Sequence, residues 1–372
     1  MRPCWIGPGS QKLSQGLAVI GLATCLLAAA SAAAQAPKKV RIAYGGQTLN
    51  VSYPWLQLPG PLNYWKQEGY DVEVFIAQSS LQAIQLLVAG QAEIAQINSA
   101  PLVQAAVNHD IPLRDVMVNT VMDWALVVPE DSPIRSLADL KGKSIGAASL
   151  GTGGVALLQS YMRANGIDPE RDVQLLPVGV GPLAMQALRS DKVQGLIYWG
   201  SAIAAFENFG GKFRKFFDPA WRQLPDFSMV ALQSTIERDP KMIEAVVRGS
   251  AKASLFALSN PDCARQLQWK HYPSTKPTGA EEATLIKWDL NYLNSSLAGM
   301  TPALEMSGGK LWGKTTPEQF ARLQDFLVQT KLIDKKLANP ADYVVGIPNF
   351  FENANTFDHE LIKAQATQCA PS

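Results

Sequence analysis

The most constraining feature of this sequence is a phrase that occurs twice. AIQLLVAGQAEIAQINSA begins at Ala83 and AMQALRSDKVQGLIYWGSA begins at Ala184, and the two align without a gap over most of their length. Each copy has apolar residues at helical spacing, a short polar stop and a strand-like apolar run. Each strand then ends in small and polar residues, where a further helix can start. The repeat therefore predicts two copies of one helix-strand-helix unit.

Two such units favour an α/β fold with two lobes, each a sheet flanked by helices. Ligands of open α/β sheets bind outside the carboxyl ends of the strands, so two such edges predict two lobes that face one ligand across a cleft. A longer array of repeats is the competing interpretation, but it needs at least about three copies. We expect lobe one to comprise residues 38–124 and 229–351, and lobe two residues 125–228. Residues 352–372 are predicted to form a C-terminal tail, frayed from Asp358 onward.

The first 34 residues have the pattern of a secretory signal peptide. Arg2 and Lys12 precede a run rich in Ala and Leu that closes on three alanines. A retained membrane anchor is one alternative, because the run approaches the ~18 residues that can span a bilayer. A lipoprotein site at Cys25 is another. We expect cleavage near Ala34 and a periplasmic mature protein.

Charge and cysteine content narrow the choice of partners. The formal net charge is +1, and the loss of Arg2 and Lys12 with the signal peptide leaves −1, so nucleic acid is not an expected partner. After processing the cysteines are Cys263 and Cys369, which could form a disulfide in an oxidising compartment or remain two thiols. No set of residues has the spacing of a metal site, and no cofactor is expected.

Five phrases in order along the chain resemble the periplasmic substrate-binding proteins of ABC importers, in the group that serves nitrate, sulfonates, taurine and pyrimidine precursors. They are GYDVEVFIAQSS, AIQLLVAGQAEIA, SPIRSLADLKGKSIGAAS, QALRSDKVQGLIYW and ERDPKMIEAVVRGSAKASLFALSNPD, and the resemblance runs from about Val40 to about Leu267. It implies a type II periplasmic binding protein fold whose cleft closes on a small molecule and docks to an ABC permease in the inner membrane. We expect a monomer. The family phrase usually ends in Gly-Gln-Val-Asp, whereas Glu93 and Gln194 occupy its last position here.

The candidate ligand-binding residues lie where predicted strands end and helices begin. Residues 149–154 are the strongest candidate for an anion site, because small residues let backbone N–H groups converge at a helix N-terminus. A plain glycine-rich turn is the alternative. Aromatic faces at strand ends could sandwich a flat ligand, although aromatic residues also form ordinary cores. The predicted ligand-binding residues are Gly46, Gln47, Ser79, Ser80, Asn98, Ser99, Trp124, Ser149, Gly151, Thr152, Gly153, Tyr198 and Trp199.

These residues predict a solute-binding protein for import, with a small organic anion of the sulfonate or aromatic carboxylate type as its ligand. Backbone N–H groups and hydroxyls would hold the anion, because the predicted cleft has few charged residues. A neutral pyrimidine-type heterocycle stacked on Trp199 is the alternative ligand. A secreted enzyme is the least favoured function, since His109, His271 and His359 fit no metalloprotease pattern. The Cys-rich motif of the family's pyrimidine-synthesising enzyme is also absent.

Overall fold

The computed structural model describes residues 36–369, so the predicted signal peptide and the alternatives at Cys25 lie outside the described residues. The strands are β1 (Lys38–Tyr44), β2 (Tyr70–Ile76), β3 (Ile94–Ile97), β4 (Leu113–Val121), β5 (Ala125–Pro129), β6 (Lys143–Ala147), β7 (Val173–Pro177), β8 (Gly195–Tyr198), β9 (Phe213–Phe216) and β10 (Pro225–Leu232). The α-helices are α1 (Pro54–Gln57), α2 (Tyr64–Gln67), α3 (Ser80–Val88), α4 (Ser99–His109), α5 (Gly153–Ala164), α6 (Pro182–Arg189), α7 (Gly200–Asn208), α8 (Gln233–Arg238), α9 (Pro240–Ser259), α10 (Pro261–His271), α11 (Glu282–Met306), α12 (Pro317–Gln329), α13 (Phe350–Ala354) and α14 (His359–Gln368).

Two mixed sheets of five strands share one topology. The first has the order β2-β1-β3-β10-β4 and the second has the order β7-β6-β8-β5-β9. In the first sheet β1 runs parallel to β2 and β3, whereas β10 is antiparallel to β3 and β4. The second sheet repeats this arrangement, with β6 parallel to β7 and β8, and β5 antiparallel to β8 and β9. The two copies of the repeated phrase supply the central strands β3 and β8, and the predicted α/β class is confirmed.

The last position of each repeat has the same structural role in both sheets. Glu93 accepts a hydrogen bond from the backbone N–H of Arg41 in β1 at 2.8 Å, and Gln194 accepts one from Ser144 in β6 at 2.9 Å. Just before them, Gly90 and Asp191 have φ angles of 67° and 58°, which turn the chain from helix to strand. The position therefore needs an acceptor oxygen, which Glu and Gln both provide.

The chain returns to the first sheet earlier than the sequence indicated. Strand β10 begins at Pro225, and Pro225 and Asp226 pair with Val121 and Thr120 of β4. Residues 225–228 were expected in lobe two, and this boundary is wrong. Pro225 could not be read as part of a strand from sequence, because proline donates no hydrogen bond and usually marks a strand end.

The prediction of a frayed tail is also wrong. Helices α13 and α14 cover most of residues 350–368, and α14 packs on α9 with Ile362 and Ala366 buried. A disulfide joins Cys263 in α10 to Cys369, with 5.4 Å between their Cα atoms. The end of the chain is thus attached covalently to the helical layer of the first sheet.

Polar side chains cap the starts of three long helices. Asp239 accepts a hydrogen bond from the backbone of Met242 before α9, and Asn260 accepts one from Cys263 before α10. Thr316 and Gln319 form a capping box at the start of α12. Within residues 36–369 the search for a helix long and apolar enough to cross a membrane finds none.

Candidate ligand-binding cleft

A cavity lies between the carboxyl ends of the strands of the two sheets. Its empty volume, with the open mouth included, is about 660 Å³. Segments that follow β1, β2, β3, β6, β7 and β8 contribute to its wall, as the repeat predicts. The lining residues are Tyr44, Gly45, Gly46, Gln47, Tyr53, Trp55, Gln78, Asn98, Thr120, Asp123, Trp124, Ala148, Thr152, Val180, Trp199, Ser201, Asp226, Phe227 and Ser296.

Six of the predicted residues line this cavity: Gly46, Gln47, Asn98, Trp124, Thr152 and Trp199. Their contacts join the two sides of the cleft. The side chain of Gln47 donates a hydrogen bond to the carbonyl of Ala148 at 3.2 Å. The rings of Trp124 and Trp199 meet edge to face, with 5.5 Å between their centroids.

The other predicted serines are not among the lining residues. Ser79 caps α3 by accepting a hydrogen bond from Gln82 at 3.2 Å. Ser80 accepts one from the N–H of Asn98 at 3.1 Å, so it holds the backbone of a lining residue in place. The hydroxyls of Ser99 and Ser228 are 2.8 Å apart inside the first lobe. Ser79 and Ser80 thus satisfy backbone N–H groups, and Ser99 pairs with a buried hydroxyl.

The glycine-rich loop after β6 differs from the predicted anion site. Only Thr152 of this loop lines the cavity, and its hydroxyl donates to the carbonyl of Ser149 at 3.0 Å. Gly151 is exposed, and an added Cβ there would meet open space. A Cβ at Gly153 would lie 3.2 Å from the side chain of Asn98, and one at Gly154 would lie 2.1 Å from the ring of Trp124. The glycines therefore make room for side chains of the facing lobe.

Tyr198 lies in the core of the second lobe and not at the cleft. It is fully buried, its ring contacts Phe206 at 5.0 Å, and its hydroxyl donates to the carbonyl of Gly179. Successive side chains of a strand point to opposite faces, so Tyr198 turns into the core, although its ring still contacts that of Trp199 with 5.6 Å between their centroids. Trp199 alone of the pair reaches the cavity.

The first lobe contributes an aromatic wall, of which the sequence directs attention only to Trp55. It consists of Tyr44, Tyr53, Trp55 and Phe227, whose ring centroids lie 4.9 to 6.1 Å apart. Gln96 holds two of these residues, because its amide donates to the carbonyl of Phe227 at 2.7 Å and accepts from the indole of Trp55 at 2.9 Å. Phe227 has a φ of 56°, a left-handed conformation that is costly for a bulky residue. Such strain is often found at ligand sites.

Two carboxylates, Asp123 and Asp226, also line the cavity. Asp226 accepts hydrogen bonds from Asn98, from the N–H of Ser99 and from the indole of Trp124, at 2.9 to 3.2 Å. Asp123 accepts one from the N–H of Gly200 at 3.0 Å. Burial raises the pKa of Asp226, and it raises the pKa of Asp123 to about 6 although nearby Arg222 opposes the rise. Asp123 is therefore mostly ionised at pH 7.

Helix α11 connects the two sides of the cleft. It packs on β4 and α10 of the first lobe and on α7 of the second. The amide of Asn291 donates to the side-chain oxygen of Asn208 at 3.0 Å, and Asn208 donates to the carbonyl of Trp288 at 2.9 Å. The rings of Trp288 and Phe209 are 5.4 Å apart. Ser296 of the same helix lines the cavity.

Metal and histidine chemistry have no counterpart at this cavity. Residues 36–369 contain no group of three or more His, Cys, Asp or Glu side chains arranged to hold a metal ion. None of the nineteen lining residues is a histidine. The chemistry available at the wall is thus aromatic contact, hydrogen bonding and negative charge.

Solved structures with similar folds are binding proteins and an enzyme. The aliphatic sulphonate binding protein SsuA of Escherichia coli aligns with a TM-score of 0.61 and 18% identity, covering 83% of this chain and 92% of that protein. The alkanesulfonate-binding protein SsuA of Xanthomonas axonopodis pv. citri aligns with a TM-score of 0.59 and 16% identity, covering 82% and 98%. The desulfurization enzyme DszB aligns with a TM-score of 0.52 and 15% identity, covering 85% and 98%. Fold similarity at this level does not distinguish a binding protein from an enzyme.

The comparison with curated proteins finds no match to this sequence. A family model described as NMT1/THI5 like matches residues 61–264, which is more than half of the chain. The chain therefore belongs to the NMT1/THI5-like family and has the fold of the periplasmic binding proteins of ABC importers.

Proposed function

We propose that this protein is the periplasmic solute-binding component of an ABC importer and that its solute is a flat heteroaromatic molecule. The wall of the cavity supports this choice, since six aromatic rings from both lobes line it and none of the nineteen lining residues is Lys, Arg or His. A sulfonate or carboxylate would gain little there, because no cationic side chain faces it and two carboxylates do. Of the two ligand classes that the sequence suggests, the pyrimidine-type heterocycle fits this wall better than the small organic anion.

Polar groups at the wall favour a ring that carries nitrogen or oxygen over a plain hydrocarbon. The indole nitrogen of Trp199 is buried without a hydrogen-bond partner among residues 36–369. A ring nitrogen or carbonyl of the solute could accept its hydrogen and remove the cost of an unmade bond. The amides of Gln47, Gln78 and Asn98 also line the cavity and can donate or accept.

Export to the periplasm is part of this proposal. The disulfide between Cys263 and Cys369 is consistent with an oxidising compartment, and residues 1–34 have the pattern of a cleaved signal. We propose that the monomeric mature protein closes its two lobes on the solute and then docks to a permease. The lobes would be the two bodies built on the two sheets.

The proposal is tested by a thermal-shift screen combined with small-angle scattering. Pyrimidines, other flat heterocycles, aromatic carboxylates and alkanesulfonates are screened, since a ligand of the folded state raises stability by RT ln(1 + [L]/Kd). We expect heterocycles to give the largest shifts and to reduce the radius of gyration at saturation. Stabilisation by alkanesulfonates alone, or a ligand that binds without compaction, would contradict the proposal.

Trp199→Ala is expected to weaken binding of the best ligand of that screen by about fivefold. The change removes an aromatic face worth about 1 kcal/mol in contacts of this kind, while Trp199 is only partly buried. Titration calorimetry measures the affinity. His109→Ala, an exposed position at the end of α4, is the control and should leave affinity unchanged. Equal affinities of the two variants would show that Trp199 does not contact the solute.

A further inference from the structure

The charged side chains at the cavity wall indicate which charge the solute should carry. Asp123 and Asp226 line the cavity, and the ion pairs found among residues 36–369 involve neither of them. Burying a carboxylate is costly unless a positive or hydrogen-bonding group compensates it. The compensation for each carboxylate therefore has to be identified separately.

Asp226 is compensated by the protein itself. Its Oδ1 accepts from the N–H of Ser99 at 2.9 Å, and its Oδ2 accepts from the indole of Trp124 at 3.2 Å. The side-chain amide of Asn98 lies 3.1 to 3.2 Å from both oxygens. Because these donors occupy most of its acceptor sites, Asp226 is a positioning residue that fixes Asn98 and Trp124 at the cavity.

Asp123 retains acceptor capacity that the described hydrogen bonds do not fill. Its Oδ2 accepts from the N–H of Gly200 at 3.0 Å, whereas an ionised carboxylate offers about four acceptor sites. Asp123 lies in the short segment that connects β4 to β5. It lines the cavity next to Gly200, the first residue of α7.

The cation that interacts electrostatically with Asp123 is Arg222. The guanidinium of Arg222 donates to backbone carbonyls of the crossing segment, including Asp123 at 3.2 Å, and lies over the ring of Phe217 at 4.6 Å. Arg222 is not a lining residue. Asp123 therefore lines the cavity and Arg222 does not, although both also line a second cavity beside α7 together with Lys215.

The aromatic rings around Asp123 favour a cationic solute, as the carboxylate does. The face of an aromatic ring attracts a cation, and this attraction grows when the site is desolvated. Trp124, Trp199, Tyr44 and Tyr53 all line the cavity with Asp123. An anion at the same place would meet two carboxylates of like charge and the negative ring faces.

We propose that Asp123 determines specificity by charge: the solute presents a protonated nitrogen or an amine to this carboxylate, and sulfonates and carboxylates are excluded. The inference rests on the proposed function, of which it names the ligand class. The proposed ligand is a cation, whereas the sulfonate-binding proteins that share this fold bind anions.

Three flat probes of similar size test the inference in titration calorimetry at pH 7.5 and fixed ionic strength. 4-Aminopyridine is a cation at this pH, 4-aminopyrimidine is uncharged and benzenesulfonate is an anion. We expect the wild-type protein to bind the cation at least tenfold more tightly than the anion, with the uncharged ring between them. An anion that binds as tightly as the cation overturns the inference, and so does a protein that binds none of the three.

Asp123→Asn keeps the size of the side chain and removes its charge. We expect this variant to bind 4-aminopyridine at least tenfold more weakly and 4-aminopyrimidine within threefold of wild type. Asp334→Asn, at an exposed position away from the cavity, is the matched control and should bind all three as wild type does. An unchanged ratio of cation to uncharged ring in Asp123→Asn overturns the role of Asp123. If that variant does not fold, the wild-type ranking decides.

The same measurements separate this inference from the proposed function. If an uncharged or anionic ring binds best and compacts the protein in scattering, solute capture stands and the charge preference fails. If no solute of any class compacts the protein, both fail together.

Discussion

Replacing Cys263 and Cys369 with alanine is expected to lower the free energy of unfolding by about 4 kcal/mol. The two cysteines are 106 residues apart in the chain, and a cross-link over about 100 residues removes ~4.7 kcal/mol of unfolded-state entropy in the chain-entropy model. The packing of α14 on α9, which buries Ile362 and Ala366, should be the same in the variant and in wild type. The expected loss therefore comes from the missing cross-link alone. Urea unfolding of the double variant and of oxidised wild type measures the difference.

Reduced wild-type protein is the control for this prediction. It lacks the cross-link but keeps both sulfur atoms, so its stability should match that of the double variant within about 1 kcal/mol. Retention of full stability by both forms would show that the cross-link adds nothing to the helical contacts of the tail.

Asp115→Asn is expected to stabilise the protein above pH 7 by up to about 4 kcal/mol. Asp115 is fully buried, and burial raises its pKa to about 7 although the hydroxyl of Thr315 donates to its Oδ2 at 2.6 Å. The folded state therefore holds a proton that the unfolded state releases near pH 4, so the free energy of unfolding falls as the pH rises from about 4 to 7. A shift of about three units corresponds to about 4 kcal/mol, at ~1.36 kcal/mol per unit. Asparagine carries no charge at any of these pH values.

Chemical unfolding of wild type and variant from pH 4.5 to 8.5 checks this difference. The two stabilities should be similar at pH 4.5 and should diverge steadily toward pH 8. Asp123 and Asp289, whose buried carboxyls have pKa values raised to about 6, are present in both proteins and cancel in the comparison. Asp334→Asn controls for loss of a surface charge. Parallel curves for wild type and Asp115→Asn would contradict the assigned burial cost.

The fold could be predicted from the sequence because the repeat encodes it locally. Helix spacing, turn and strand follow one another within about twenty residues, and the strands β3 and β8 stand at equivalent places in the two sheets. The start of β10 and the packing of α14 could not be predicted in this way. Both depend on partners far away in the chain, namely Val121 for Pro225 and the helix α9 for Ile362.

The site was predictable where it is built from strand ends and unpredictable where it is built from distant pairings. Asn98 and Trp199 end the two repeats, so the pattern alone directs attention to them. Asp226 is different, because it stands inside a strand and the groups that satisfy it, Asn98 and Trp124, are more than 100 residues away. A sequence does not show which buried carboxylate is neutralised by its neighbours and which faces a cavity. The ligand charge proposed from the structure therefore differs from the anionic ligand that the sequence favours.

The contact of α11 with α7 bears on how well a transporter could tell loaded protein from empty protein. The hydrogen bond between Asn291 and Asn208 joins protein to protein, so under the proposed closure it would favour the closed form whether or not a solute is bound. A larger closed fraction would raise apparent affinity by the same factor. It would also give the proposed permease more closed but empty proteins to dock with. A stronger contact between these helices would thus help the protein to capture solute at low concentration. It would also increase the number of unproductive encounters between empty protein and the permease.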